Sequence, residues 1–204
     1  MSLLEVIVAM GLALGALTLM IQLLVPSARI SLRGAARTEV QESCVIALRQ
    51  LAADLQRSNA SAITLRNTVS TGPGLVVIQP LQLDSSDAES RYLPELWDYV
   101  FRPGPGTLTR RRWEPVPAVL GVTLESQVGT RLTGTQLDRL LNLTGAREEC
   151  ILAHNVKEFS LGGSVQPPNF PNPVTLHMLV EKKVTSGDPD RFRLDQTVML
   201  RNVP

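Results

Sequence analysis

The chain has few of the residues that most protein chemistry needs. Its two histidines, His154 and His177, each stand alone among apolar or amide neighbours, and no spacing draws a serine, a histidine and an acid together. No P-loop, GxGxxG or HExxH pattern occurs, so no catalysis and no cofactor are expected. The two cysteines, Cys44 and Cys150, are far apart and form no CxxC pair, which leaves a zinc or redox motif without support. Net charge is also lacking: the formal value is +1 over 204 residues, which removes the electrostatic case for nucleic acid as the main partner.

Charge is scarcest at the start. Residues 1–25, MSLLEVIVAMGLALGALTLMIQLLV, carry one charged side chain, Glu5. A helix of that length rises about 37 Å and spans the hydrocarbon core of a bilayer, about 30 Å. The run is longer than the apolar part of a secretory signal and ends without a small-x-small cleavage site. A carboxylate in lipid costs on the order of 2.5–3.5 kcal/mol, so Glu5 calls for a function and a partner. The nearest cationic candidate is an α-amine, that of its own chain or that of a neighbouring copy shifted along the helix axis.

Past the apolar run the pattern stays helical. Pro26 removes one helical hydrogen bond, and Gly11 and Gly15 weaken the helix nearer its start. Arg29, Arg33 and Arg37 recur every four residues and form a polar stripe near the headgroups, solvated or meeting phosphate or a neighbour's acid. Val40, Cys44, Ala47, Leu48, Leu51 and Leu55 then recur at threes and fours, one apolar face that predicts packing on a sheet. Ser58-Asn59 is the expected stop, with Asn in a left-handed cap. The pattern predicts one continuous helix of about 55 residues, some 80 Å long.

Beyond it the pattern turns β-rich, as fourteen Gly and fourteen Pro suggest. Strands are expected at 61–66, 74–79, 96–102, 107–113, 150–153, 156–161, 174–184 and 191–203, and a short helix at 136–143. Pro103-Gly104-Pro105-Gly106 marks a hairpin, and 84–91 and 162–173 are read as surface loops. The resulting division is 1–28 for the membrane half of the helix, 29–58 for its amphipathic half and 59–204 for one β-rich globular domain. Within that domain Asp84, Asp87 and Glu89, or Asp188 with Asp190, could offer oxygen ligands to calcium, but turn-forming acids are the ordinary explanation and no metal site is assigned. Alternation on a strand splits Arg110 and Arg112 from Arg111, so the run Arg110-Arg111-Arg112-Trp113 reads as a solvated hairpin or subunit contact rather than a DNA-binding patch.

The opening Met1-Ser2-Leu3-Leu4-Glu5-Val6 resembles the mature N-terminus of type IV pilins and pseudopilins: a hydrophobic residue, a small hydroxyl residue, two aliphatics and a glutamate at position 5. The resemblance implies an α+β type IV pilin fold, in which a long N-terminal helix packs on a small antiparallel sheet. It implies that a prepilin peptidase exposes Met1 and methylates its amine, and that Glu5 pairs with the Met1 amine of an adjacent subunit. It implies that Gly11, Gly15 and Pro26 let the helix straighten or melt on assembly. ALRQLAADLQRS, YVFRPGPGTLTRRRW, VTLHMLVEKKV and RFRLDQTVMLRN are similar to PilW-type minor pilins, and also to the J-type pseudopilins of type II secretion.

On the first branch the chain is expected to prime a pilus without catalysis. Its partners would be other minor pilins, the major pilin, a tip adhesin, the inner-membrane assembly platform, the peptidase and membrane lipid. It would cross the bacterial inner membrane once, with the globular part in the periplasm, although Arg29, Arg33 and Arg37 alone would draw that part into the cytoplasm; a basic leader, later removed, would reverse the pull. In a periplasmic domain Cys44 and Cys150 could form a disulfide tying helix to sheet; otherwise they are buried free thiols. A membrane-anchored binding domain that never polymerises is the reading of a different class.

Overall fold

The apolar stripe that begins at Val40 decides the architecture, because it gives half of a long helix something to bury. The computed structural model describes residues 2–66, 73–83, 90–162, 173–182 and 189–200. Helix α1 (Leu3–Gln56) runs 54 residues without a break, straight through Pro26. From Leu3 to Glu39 every residue is exposed except Ala36, which is partly covered. From Val40 onward Cys44, Ala47, Leu48, Leu51 and Leu55 are buried. The fold is α+β, one long N-terminal helix packed on antiparallel sheets, consistent with a type IV pilin-like fold.

The helix ends differently from expectation. Arg57 caps it with its N–H on the Asp54 carbonyl (3.2 Å), the Ser58 N–H bonds the Leu55 carbonyl (3.0 Å), and Asn59 is extended rather than left-handed. The Asn59 side chain accepts the Ser61 N–H (2.9 Å) and so opens a 3-10 turn, Ala60–Ala62, where a strand was expected to begin. Buried Ser58 donates to the Gln79 carbonyl (2.9 Å) and pins the helix exit to the sheet. That tertiary bond, rather than local propensity, sets the stop.

Among the described residues the strands form three antiparallel sheets instead of one small sheet. The largest holds β1 (Ile63–Arg66), β2 (Gly74–Ile78), β5 (Leu96–Arg102), β6 (Thr107–Trp113) and β7 (Glu148–Ala153), in the order β1-β2-β5-β6-β7. A second holds β8 (Val156–Leu161), β9 (Val174–Lys182) and β10 (Asp190–Val198), with β9 central; β3 (Leu81–Leu83) pairs with β4 (Ser90–Tyr92). The chain switches sheets at Asn155, whose φ of 59° turns it sharply. There Val156 N–H bonds the Gly106 carbonyl (2.8 Å) while β8 pairs with β9, so β7 and β8 part company. Gly106 sits at φ +63°, and a Cβ there would stand 3.2 Å from the Val156 carbonyl oxygen, so the hairpin tip needs glycine.

Alternation then sorts side chains onto two faces of the five-stranded sheet. Val76, Ile78, Tyr99, Phe101 and Leu108 join the helix stripe, together with Leu176, Met178 and Val180 from β9, in one core. Leu75, Val77, Val100 and Trp113 point the other way, under α2 (Gly134–Asn142) and the segment leading to it. Helix α2 is capped at Thr133 by a capping box with Gln136 and buries Leu137, Leu140 and Leu141. Gly129 brings this covering segment so close to the 3-10 turn Ala60–Ala62 that a Cβ would lie 2.6 Å from the Ala62 Cβ.

Candidate functional site

The uncovered half of α1 is the feature of this molecule with no purpose inside the monomer. Leu3, Leu4, Leu12 and Leu23 are each more than 70% exposed, and the apolar surface continues without a gap to Val25. The helix is long and apolar enough to cross a membrane. Its hydroxyls are turned back on the backbone: Thr18 donates to the Leu14 carbonyl (2.8 Å) and Ser27 to the Leu24 carbonyl (2.9 Å). Such bonds keep polar side chains satisfied where no water is at hand. Pro26 leaves the Gln22 carbonyl without its helical donor, yet the helix carries on. Around Gly11 and Gly15 an added Cβ would meet nothing within 4 Å, so their small size serves no contact within the chain.

At the mouth of this helix Glu5 is already engaged. Its carboxylate accepts the Ser2 N–H (Oε2, 2.9 Å), and its own N–H donates to Ser2 Oγ (3.3 Å). Ser2 and Glu5 thus form a reciprocal capping box, with the negative charge at the positive end of the helix dipole. The acid that stands alone in an apolar run has a local partner, which offsets part of its cost in lipid. Ser-x-x-Glu is the sequence signal of such a box, and here it lies inside the stretch that carries the pilin resemblance. Glu5 also borders an open apolar groove of about 290 Å³ with Leu4, Val8, Ala9 and Leu12. Met1 lies outside the described residues, as do Asp84, Asp87, Glu89 and Asp188; Asp190 opens β10.

The cysteines do not form a disulfide. Both are free: Cys44 is buried on the helix, 3.4 Å from Met178 Sδ, and Cys150 is exposed on β7. Met178 of β9, in the three-stranded sheet, rather than Cys150 of β7 meets Cys44, so a link from helix to β7 is not made. Burial pushes the Cys44 thiol up to about 11.

The arginine run is neither solvated nor a patch. Arg110 reaches the helix, where its Nε lies 2.7 Å from buried Asp54 Oδ2, which also accepts the Tyr99 hydroxyl; its guanidinium covers the Trp97 ring at 4.7 Å. Burial and the neighbouring Asp54 push the Tyr99 phenol far above its ordinary range. Arg111 points the opposite way and is 2% exposed. It grips Asp98 with two bonds (2.8 and 2.7 Å) and donates to the carbonyls of Leu140 (3.0 Å) and Leu143 (2.8 Å) at the end of α2. Burial raises the Asp98 carboxyl, against the bonds from Arg111 and from Trp113 Nε1 (2.9 Å). Arg112 is shared by Glu95, Glu114 and Glu148. Strand alternation is legible in the sequence; the buried acids waiting on each face are not. His177 is held between Asp195 (2.5 Å) and Glu158 (3.6 Å) across the second sheet, and exposed His154 lies near Glu39.

No protein-family model matches this chain, and no curated protein or solved structure shows significant similarity to it.

Proposed function

We propose that this chain is a non-catalytic subunit of a type IV pilin-like filament, a minor pilin that primes assembly together with other minor pilins. One observation carries the reading: a helix whose first half is apolar, uncovered, and closed at its mouth by a single acid. A globular protein does not leave that much apolar surface exposed without something to cover it. The inner membrane covers it before assembly, with the globular part in the periplasm, and a bundle of neighbouring helices covers it afterwards. Glu5 then meets the methylated Met1 amine of an adjacent subunit and sets the axial register. Gly11, Gly15 and Pro26 supply the local weakness that lets the helix adapt to the bundle.

The test separates the charge of Glu5 from its cap. Glu5→Gln keeps a capping acceptor and removes the charge, whereas Glu5→Ala removes both. Both variants are expected to remain membrane-bound and to be lost from complexes captured through a tagged partner pilin. Normal recovery of Glu5→Gln would overturn the pairing. A chain whose first residue carries no methyl group when isolated from its native membrane would overturn the processing route.

A further inference from the structure

Arg29, Arg33 and Arg37 are all exposed and stacked over successive turns of one helix face. Three- and four-residue steps carry the same stripe on to Val40, Cys44 and Ala47, which are buried against the sheets. The arginines therefore overhang the end of the globular part nearest the apolar helix. On the globular part beside them Lys182 Nζ is paired with Glu39 Oε2 (2.8 Å), and the neighbouring open cavity of about 370 Å³ is lined by Lys157, Lys182 and Glu181, so the positive charge of this end rests on the three arginines. Between Glu5 and Glu39 the helix carries no acid. Exposed Ile30 (71%) and Leu32 (70%) alternate with the arginines, a mixture suited to the headgroup layer, where apolar groups sink and guanidinium groups reach for phosphate.

We propose that this basic collar binds anionic phospholipid headgroups and so sets the depth of the helix in the bilayer. The inference rests on reading α1 as membrane-inserted. Arg29 lies about 6 Å along the axis from Val25, close to the depth of one headgroup layer, roughly 5–7 Å. From Arg29 back to Glu5 is about 36 Å, more than the hydrocarbon core of about 30 Å. With Arg29 at the phosphates, Glu5 stands at the opposite edge of the hydrocarbon rather than in its middle. The collar thereby holds the acid where a neighbour's amine can reach it.

The full-length chain is reconstituted in nanodiscs of equal phosphatidylglycerol and phosphatidylcholine, and the lipid it retains is counted by native mass spectrometry. The parent is expected to retain phosphatidylglycerol preferentially. Arg29→Gln and Arg37→Gln should each lower the preference about fivefold, and the triple Gln variant should lose it. The triple Lys variant keeps it, and Arg49→Gln, lower on the helix, leaves it unchanged. A parent without preference, or a triple Gln variant that retains it, overturns the inference while membrane insertion stands. A chain that nanodiscs do not hold overturns the insertion reading and the collar with it.

Discussion

Replacing Arg111 by Met should unlatch α2 and destabilise the whole globular part. The wild-type side chain is 2% exposed and Asp98 is fully buried, so the variant leaves a carboxylate in the interior without its cation. Breaking a buried pair on one side costs about 3–5 kcal/mol. The Leu143 carbonyl also loses its donor, about 1 kcal/mol more, whereas the Leu140 carbonyl still accepts the Leu143 N–H (3.2 Å). Proton uptake by Asp98 limits the total, so we expect about 4 kcal/mol, set against the 5–15 kcal/mol that typically holds a domain together.

The pH dependence has a definite sign. Burial already holds the Asp98 carboxyl above its ordinary value, and loss of Arg111 raises it further. A folded state whose acid titrates high gains stability as pH falls through that value and loses it as pH rises. The deficit of Arg111→Met should therefore be larger at pH 8 than at pH 5. Urea unfolding of the full-length protein in mild detergent, followed by far-ultraviolet circular dichroism, measures it. The double variant Asp98→Asn with Arg111→Met should recover about half the loss, since the orphaned charge is what costs most. An Arg111→Met variant within about 1 kcal/mol of the parent at pH 8 would refute the buried latch.

The same core yields two other expected outcomes. Ellman's reagent should titrate one thiol in the folded chain, Cys150, and a second only after denaturation, because Cys44 is buried and its thiol is pushed up to about 11. Zero thiols in the denatured, unreduced protein would restore the disulfide. Tyr99 should not ionise while the protein is folded, so Tyr99→Phe should leave the alkaline absorbance titration of the folded state unchanged; a lost transition would place the phenol in solvent.

The site and the fold differ in how much of each can be read from the residues. A helix from Leu3 to Gln56, its apolar first half and the core face from Val40 to Leu55 follow from local composition and period, because a helix repeats every 3.6 residues whatever surrounds it. The hairpin of β5 and β6 is equally legible, since Pro103-Gly104-Pro105-Gly106 punctuates two alternating runs. The Ser2–Glu5 box is local as well and is within reach of the sequence. Other features depend on residues distant in sequence. Asn59 begins a new turn because Ser58 is tied to Gln79, and the strands split into separate sheets where Asn155 turns and Val156 meets Gly106. Cys44 meets Met178 instead of Cys150, and the three arginines find Asp54, Asp98 and Glu95 across strands and helix. Sequence alone determined the two helices, the longer strands and the apolar surface, because those preferences act over a few residues; the short strands β3 and β4, the second of which begins inside the expected loop 84–91, were not legible. Only the tertiary structure decided which buried charge meets which, because that depends on register and crossing between elements that chain order does not encode.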